Sequence, residues 1–118
     1  MRFSKLHLDN WRNFSHVEVA LQKRMFLVGA NASGKSNFLD ALRFLRDLVC
    51  VGGGFQKAVA DRGGVSRLRR LAARRTADLT IDAVIVDDRN EEWEYLLAVG
   101  QDNQHRPIVK EEKVWWKE

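Results

Sequence analysis

One stretch limits the choice of folds more than any other: "FLVGANASGKSNFLDALRFL", beginning at Phe26. Its centre, Gly29 to Ser36, reads G-x-x-x-x-G-K-S. "RMFLVG" leads into it as an unbroken apolar run ended by glycine, the pattern of a buried central strand. Behind it Phe38, Leu42, Leu45 and Val49 recur every three to four positions, with Ala41 and Leu48 beside them. That spacing predicts an amphipathic helix of about fifteen residues, stopped by "GGG" at Gly52 to Gly54.

Strand, glycine loop and helix in direct succession make a phosphate cradle, the Walker A arrangement. The glycines let the backbone approach closely and take dihedrals that other residues avoid, so the N–H groups along Gly29, Ala30, Asn31, Ala32, Ser33 and Gly34 can wrap an anion. The helix that follows points its partial positive charge at the same place. Lys35 is then placed to reach the β- and γ-phosphates as the catalytic cation, and Ser36 to offer its hydroxyl to Mg²⁺. ATP and Mg²⁺ are the expected ligands. A chance glycine turn would have to match the motif and both flanking elements.

The 118 residues suffice for one domain, and 45% apolar with 31% charged residues is a globular balance. Roughly two-thirds of the unfolded surface of such a chain can be buried. No apolar run reaches the ~18 residues that span a bilayer, and "MRFSKLHLDN" lacks a signal peptide's apolar block, so a cytoplasmic protein with no membrane partner is expected. The single Cys50 fits a reducing compartment and reads as a small buried hydrophobe. The net charge of +4 is concentrated: "RGGVSRLRRLAARR", residues 62 to 75, holds six arginines and no acid.

Either side of the cradle the texture is β-like. "FSKLHLDNWRNF" alternates and reads as a strand running into an Asp9-Asn10 turn, and "HVEVAL" reads as its partner. Phe55 to Arg75 reads as a loop with one short helix, on the spacing of Val65, Leu68, Leu71 and Ala72. "LTIDAVIV", "EWEYLLAV" and "PIVKEEKVWW" are separated by turn-like "DDRNEE" and "GQDNQHR", and predict a three-stranded antiparallel meander. The chain has no internal repeat, and Pro107 is its one proline.

A phosphate loop that hydrolyses ATP also needs an acid after an apolar strand. "AVIVDD" offers Asp87 and Asp88, but the run before them alternates like a half-exposed strand and the acids open a polar turn. Both readings stand at this point, with the turn favoured. Under the first, a small P-loop kinase or NTPase would use Asp87 as its metal acid and arginines 67, 69 and 70 to clamp an acceptor phosphate.

"GANASGKSNFLDALRFL", preceded by "NWRNF" and followed by a β meander, resembles the N-terminal part of ABC-type AAA ATPases of the SMC, RecF and OLD-nuclease kind. It is most similar to predicted bacterial ATPases whose loop reads G-x-N-x-S-G-K-S-N. The resemblance implies that Asn31 and Asn37 belong to the nucleotide site and that Arg12, after the first strand, can approach the phosphates; a plain turn arginine is the alternative for Arg12. It also implies an LSGG-like signature, a true Walker B, a late switch histidine and an insertion or coiled-coil arms, none of which this sequence contains. The expected fold is α/β with mixed α+β character, a partial P-loop head in a single domain. Strand pair, P-loop and helix occupy residues 1–50, a loop with a short basic helix 51–76, and an antiparallel β subdomain 77–118. The expected partners are the remaining C-terminal lobe or a second head, with DNA or a nuclease further on.

The remaining features have bland readings beside sharper ones. The arginine segment suits nucleic-acid phosphates or the solvated face of a short helix. Trp11, Trp93 and Tyr95 could stack on a base but suit a core. Of Trp115 and Trp116, one is expected to face the core unless another lobe covers both. His7, His16 and His105 show no metal-ligand spacing and read as surface or hydrogen-bonded histidines.

Overall fold

The computed structural model describes residues 2–12, 14–21, 35–49, 51–69 and 78–117. The chain runs β1 (Arg2–Trp11), β2 (Phe14–Ala20), α1 (Lys35–Val49), α2 (Phe55–Ala60), α3 (Val65–Leu68), β3 (Leu79–Val86), β4 (Glu92–Gln101) and β5 (Pro107–Lys117). The strands form one five-stranded sheet in the order β2-β1-β3-β4-β5, with every neighbouring pair antiparallel. The expected meander is therefore present, and the expected strand pair is not separate from it, because β1 lies against β3. The pairing joins Leu6 to Ala83 and Leu8 to Ile81. The apolar run 25–28 expected as a central strand lies outside the described residues.

Alternation decides which side of the sheet carries the helices. Leu6 and Leu8 of β1, Leu79, Ile81 and Ala83 of β3, and Leu97 and Val99 of β4 are almost fully buried on one face. Against them pack Phe38, Ala41, Phe44 and Leu45 of α1, Ala58 and Val59 of α2, and Val65 and Leu68 of α3. The helical spacing of α1 puts its apolar stripe on that core, so burial rather than propensity holds the helix. At about 25 cal/mol per Å² of apolar surface, each of the Leu, Ile, Val and Phe side chains among these contributes on the order of 2 kcal/mol, and each alanine less than half of that.

Three details differ from the sequence expectation. β1 continues through Asp9 and Asn10 and turns only at Arg12, since Asn10 takes a left-handed backbone (φ 55°) within the strand and its amide donates to the Asp78 carbonyl at 3.1 Å. The segment after Gly54 holds two short helices where one was expected; α2 starts at once because Gly54, at φ 115°, redirects the chain in a way open to glycine. Trp115 and Trp116 are 38% and 51% exposed, so neither is buried in this core.

Candidate functional site

Helix α1 begins at Lys35, the residue after the second glycine of the motif, and Ser36 and Asn37 complete its opening. The backbone N–H groups of a helix's first turn have no partner inside the helix, so α1 offers donors and its positive dipole end at the residues that directly follow the glycine motif in sequence. Gly29, Ala30, Asn31, Ala32, Ser33 and Gly34 lie outside the described residues.

What the structure does define is how this end of α1 is held. Trp11, at the end of β1, is fully buried, and its indole N–H donates to the Asn37 carbonyl at 2.8 Å while its ring packs on Phe44 at 5.3 Å. Arg12 follows in a left-handed conformation (φ 54°), unusual for a side chain with a Cβ, and its backbone N–H bonds the Leu68 carbonyl. The Arg12 guanidinium reaches Asp40, one turn further into α1, at 2.7 Å. Arg62 meets the same carboxylate with two nitrogens, at 3.0 and 3.1 Å, and extends to Asp47 at 2.9 Å. Burial alone would raise the Asp40 carboxyl, but hydrogen bonds from Arg62 and Arg12 outweigh it and hold Asp40 below its ordinary range. Arg12 Nε is buried and has no partner among the described residues.

The other sequence candidates are dispersed. Asp87 is a turn residue: its carboxylate accepts the backbone N–H groups of Arg89 and Glu91, both at 2.9 Å, and the Trp93 indole at 3.1 Å. Val86, just before it, pairs with Arg2, whereas α1 begins beside Trp11 at the other end of β1. At about 3.3 Å per strand residue that separation is roughly 30 Å. Asp87 is thus too far from the start of α1 to serve as its metal acid, which corrects the kinase-like alternative. In the arginine segment Arg62 is internal, with a side chain 10% exposed. Arg67 is exposed on α3, Arg69 bridges to Trp11, and residues 70–77 lie outside the described part.

His7 and His16 are partly exposed and hydrogen-bonded to Asp9, in keeping with the sequence reading, but the ligand spacing that the linear sequence lacks is created by strand pairing. The β1–β2 register sets Asp9 opposite His16 and His7 opposite Glu18, which gathers His7, Asp9 and His16 into one cluster on the face away from the described helices. His105 stays apart, in the turn between β4 and β5.

This arrangement can be set beside known proteins. Residues 24–118 match the family model described as "AAA domain, putative AbiEii toxin, Type IV TA system". The chain belongs to this AAA-domain family.

The match takes in the motif, α1 and the whole meander. Endonuclease GajA of Bacillus cereus (strain VD045) is 43% identical over 58 residues, covering 49% of this chain and 10% of the endonuclease. The DNA replication and repair protein RecF of Picosynechococcus sp. is 46% identical over 50 residues, covering 41% of this chain and 13% of that protein. The chain therefore spans about a tenth of the length of these curated relatives. A solved SMC ATPase structure, from work on ATP-driven dimerization and DNA-stimulated activation, superposes on 98% of this chain and 69% of its own, with a TM-score of 0.59 and 20% identity. That likeness establishes the fold: an ABC-type head, in part.

Within this AAA-domain chain, the residues that sequence reasoning missed are Asp40, Asp47 and Arg62. Asp40 and Asp47 stand seven apart and so share a face of α1, the one visible signal. Their partner Arg62 was hidden in a run of similar arginines.

Proposed function

We propose that the chain is the nucleotide-binding, N-terminal portion of an ABC-type ATPase head that takes Mg·ATP through Gly29 to Ser36. The observation that carries this reading is the start of α1 at Lys35, with the family's lysine and serine opening the helix directly behind the loop. Lys35 would neutralise the β- and γ-phosphates, Ser36 would ligate Mg²⁺, and Asn31 and Asn37 would complete the cradle. Arg12 rests beside the first turns of α1 with guanidinium N–H groups beyond the one given to Asp40. A bound γ-phosphate would draw on those, making Arg12 a phosphate contact anchored by Asp40.

Hydrolysis would need the C-terminal lobe with its Walker B acid, and a second head to supply the signature motif. Two observations support this. Asp87 is excluded by its position, and Trp93, Val114 and Trp116 lie side by side on the helix-bearing face yet remain 38%, 62% and 51% exposed. A lobe packed there would cover them. By analogy with an endonuclease, a DNA repair protein and a DNA-stimulated SMC ATPase, the nucleotide cycle would be coupled to DNA repair or phage defence, with DNA or a nuclease as partner. The test is calorimetric titration with Mg·ATP together with single-turnover hydrolysis. Binding should weaken at least about tenfold in Lys35→Ala and turnover by the chain alone should be negligible; Lys35-dependent hydrolysis by the isolated chain would overturn the need for a second lobe.

A further inference from the structure

The face of the sheet opposite the described helices holds a second constellation, separate in sequence from the glycine motif. His7 Nε2 lies 3.0 Å from one carboxylate oxygen of Asp9, and His16 Nδ1 lies 3.0 Å from the other. The imidazole rings meet edge to face at 4.5 Å, and one ligating atom from each of the three residues falls within 4.8 Å of the others. We propose that His7, Asp9 and His16 form a binding site for a borderline divalent transition-metal cation of the Zn²⁺, Co²⁺ or Ni²⁺ type, with water in the remaining positions.

Distance, chemistry and support agree. Ligands about 2.0–2.1 Å from a tetrahedral ion stand roughly 3.3 Å from one another, so each His–Asp pair at 3.0 Å needs to part by about 0.3 Å while the widest pair of donors, within 4.8 Å, closes by up to about 1.5 Å through side-chain rotation. Two imidazoles and one carboxylate favour Zn²⁺-like ions over Mg²⁺ or Ca²⁺, which prefer all-oxygen shells. Behind His7, its other ring nitrogen Nδ1 stands 3.9 Å from a Glu18 oxygen, and Glu18 is itself held by Lys5. At 3.9 Å this is a charge contact rather than a hydrogen bond, and a small approach on metal binding would let Glu18 accept from Nδ1 and hold the tautomer that leaves Nε2 to ligate. The scaffold is firm, because Leu6 and Leu8, which alternate with His7 and Asp9 along β1, are fully buried and aim their neighbours outward. The side chains of His7, Asp9 and His16 are 27%, 38% and 60% exposed, so an ion can reach them without opening the fold.

All three ligands belong to the β1–β2 hairpin, whose turn carries Trp11 and Arg12 onto α1. A bound ion would therefore cross-link the strands that brace the start of α1. The sequence contains three histidines, which leaves His105 as an internal control.

The experiment is a titration of the untagged, nucleotide-free chain with CoCl₂, followed by visible d–d absorption, with ZnCl₂ and MgCl₂ as competitors. We expect one equivalent of Co²⁺ that Zn²⁺ displaces and Mg²⁺ does not. His16→Ala should weaken binding at least about tenfold and Glu18→Gln by roughly tenfold, while His105→Ala changes nothing and all variants keep the circular dichroism of the parent. Thermal melts should rise with ZnCl₂ in the parent and not in His16→Ala. His16 is the most exposed ligand, so its removal leaves the fold intact, and Asp9→Asn gives a second reading. Absence of a d–d band, a band that survives in a His7→Ala/His16→Ala double variant, or an equal loss in His105→Ala would overturn the proposal.

Discussion

The two sides of the sheet treat a partly buried carboxylate in opposite ways. On the helix-bearing side, burial pushes Asp40 up, yet Arg62 and Arg12 bring it below 3.8. On the open side, burial pushes Asp82 up, and Glu94 adds to that push rather than opposing it, so its pKa rises to about 6. The first cause is the same and the outcome is reversed by the partner. One side chain is thereby a fixed structural anion, and the other is a carboxyl that changes charge near neutrality.

The largest effect should come from the helix-bearing face. Trp11→Ala removes a fully buried ring packed on Phe44 and the indole donor to Asn37, and should cost about 3–5 kcal/mol in urea unfolding. Trp93→Ala, on a ring 38% exposed, should cost less than about 1 kcal/mol. Both rings lie on the helix-bearing face, so similar losses at both positions would break the contrast between its packed centre and its uncovered end.

Next comes Asp40→Asn. It keeps the shape and one acceptor oxygen but removes the charge that Arg62, whose side chain is 10% exposed, meets with two nitrogens, leaving Asp47 as the remaining carboxylate of Arg62, and should cost about 2 kcal/mol. The pH dependence has a definite sign. Asp40 has a lowered folded-state pKa, so its contribution is present above 3.8 and is lost as pH falls through the folded value. In Asp40→Asn that acid-side loss should shrink relative to the parent, as followed by urea midpoints between about pH 5 and 2.

Asp82 sharpens the comparison with the reverse sign. Its folded pKa of about 6 lies above the ordinary 3.8, so the native state is disfavoured when the carboxyl ionises and recovers as pH falls through 6. Asp82→Asn in the metal-free chain should raise stability at pH 7.5 by about 1 kcal/mol, allowing for solvent screening, with the advantage vanishing near pH 4. A variant that gains nothing at pH 7.5 would show that Glu94 and Asp82 do not oppose each other.

Much of this arrangement was legible in the residues, within limits set by periodicity. The 3.6-residue spacing from Phe38 to Val49 gave α1, and alternation between turn signals gave β3, β4 and β5. Alternation says nothing about which strand lies beside which, so the joining of Leu8 to Ile81, over seventy positions away, could not be read. The same limit hid the His7, Asp9 and His16 cluster, because His16 faces Asp9 only once the hairpin register is set. Helix α2 escaped because Phe55 to Ala60 makes little more than one turn, too short for a period to show. The Walker A spelling was the clearest signal in the chain, while Asp40, which braces the helix behind it, looked like any solvent-facing acid.

The smallest expected effect concerns Asp87, the residue on which the two functional readings parted. Its carboxylate organises the β3–β4 turn through two backbone N–H groups and the Trp93 indole, and these bonds, led by the one from Glu91, keep its pKa low. Asp87→Asn retains one acceptor oxygen and should shift the urea midpoint only slightly. Its effect on Mg·ATP affinity should be nil, since roughly 30 Å of β1 separates this turn from the start of α1. Ser36→Ala, measured in parallel, should weaken the Mg²⁺-dependent part of nucleotide binding. If Asp87→Asn instead removed that Mg²⁺ dependence, the two ends of the sheet would have to act as one site, and the separation between turn and phosphate loop would be wrong.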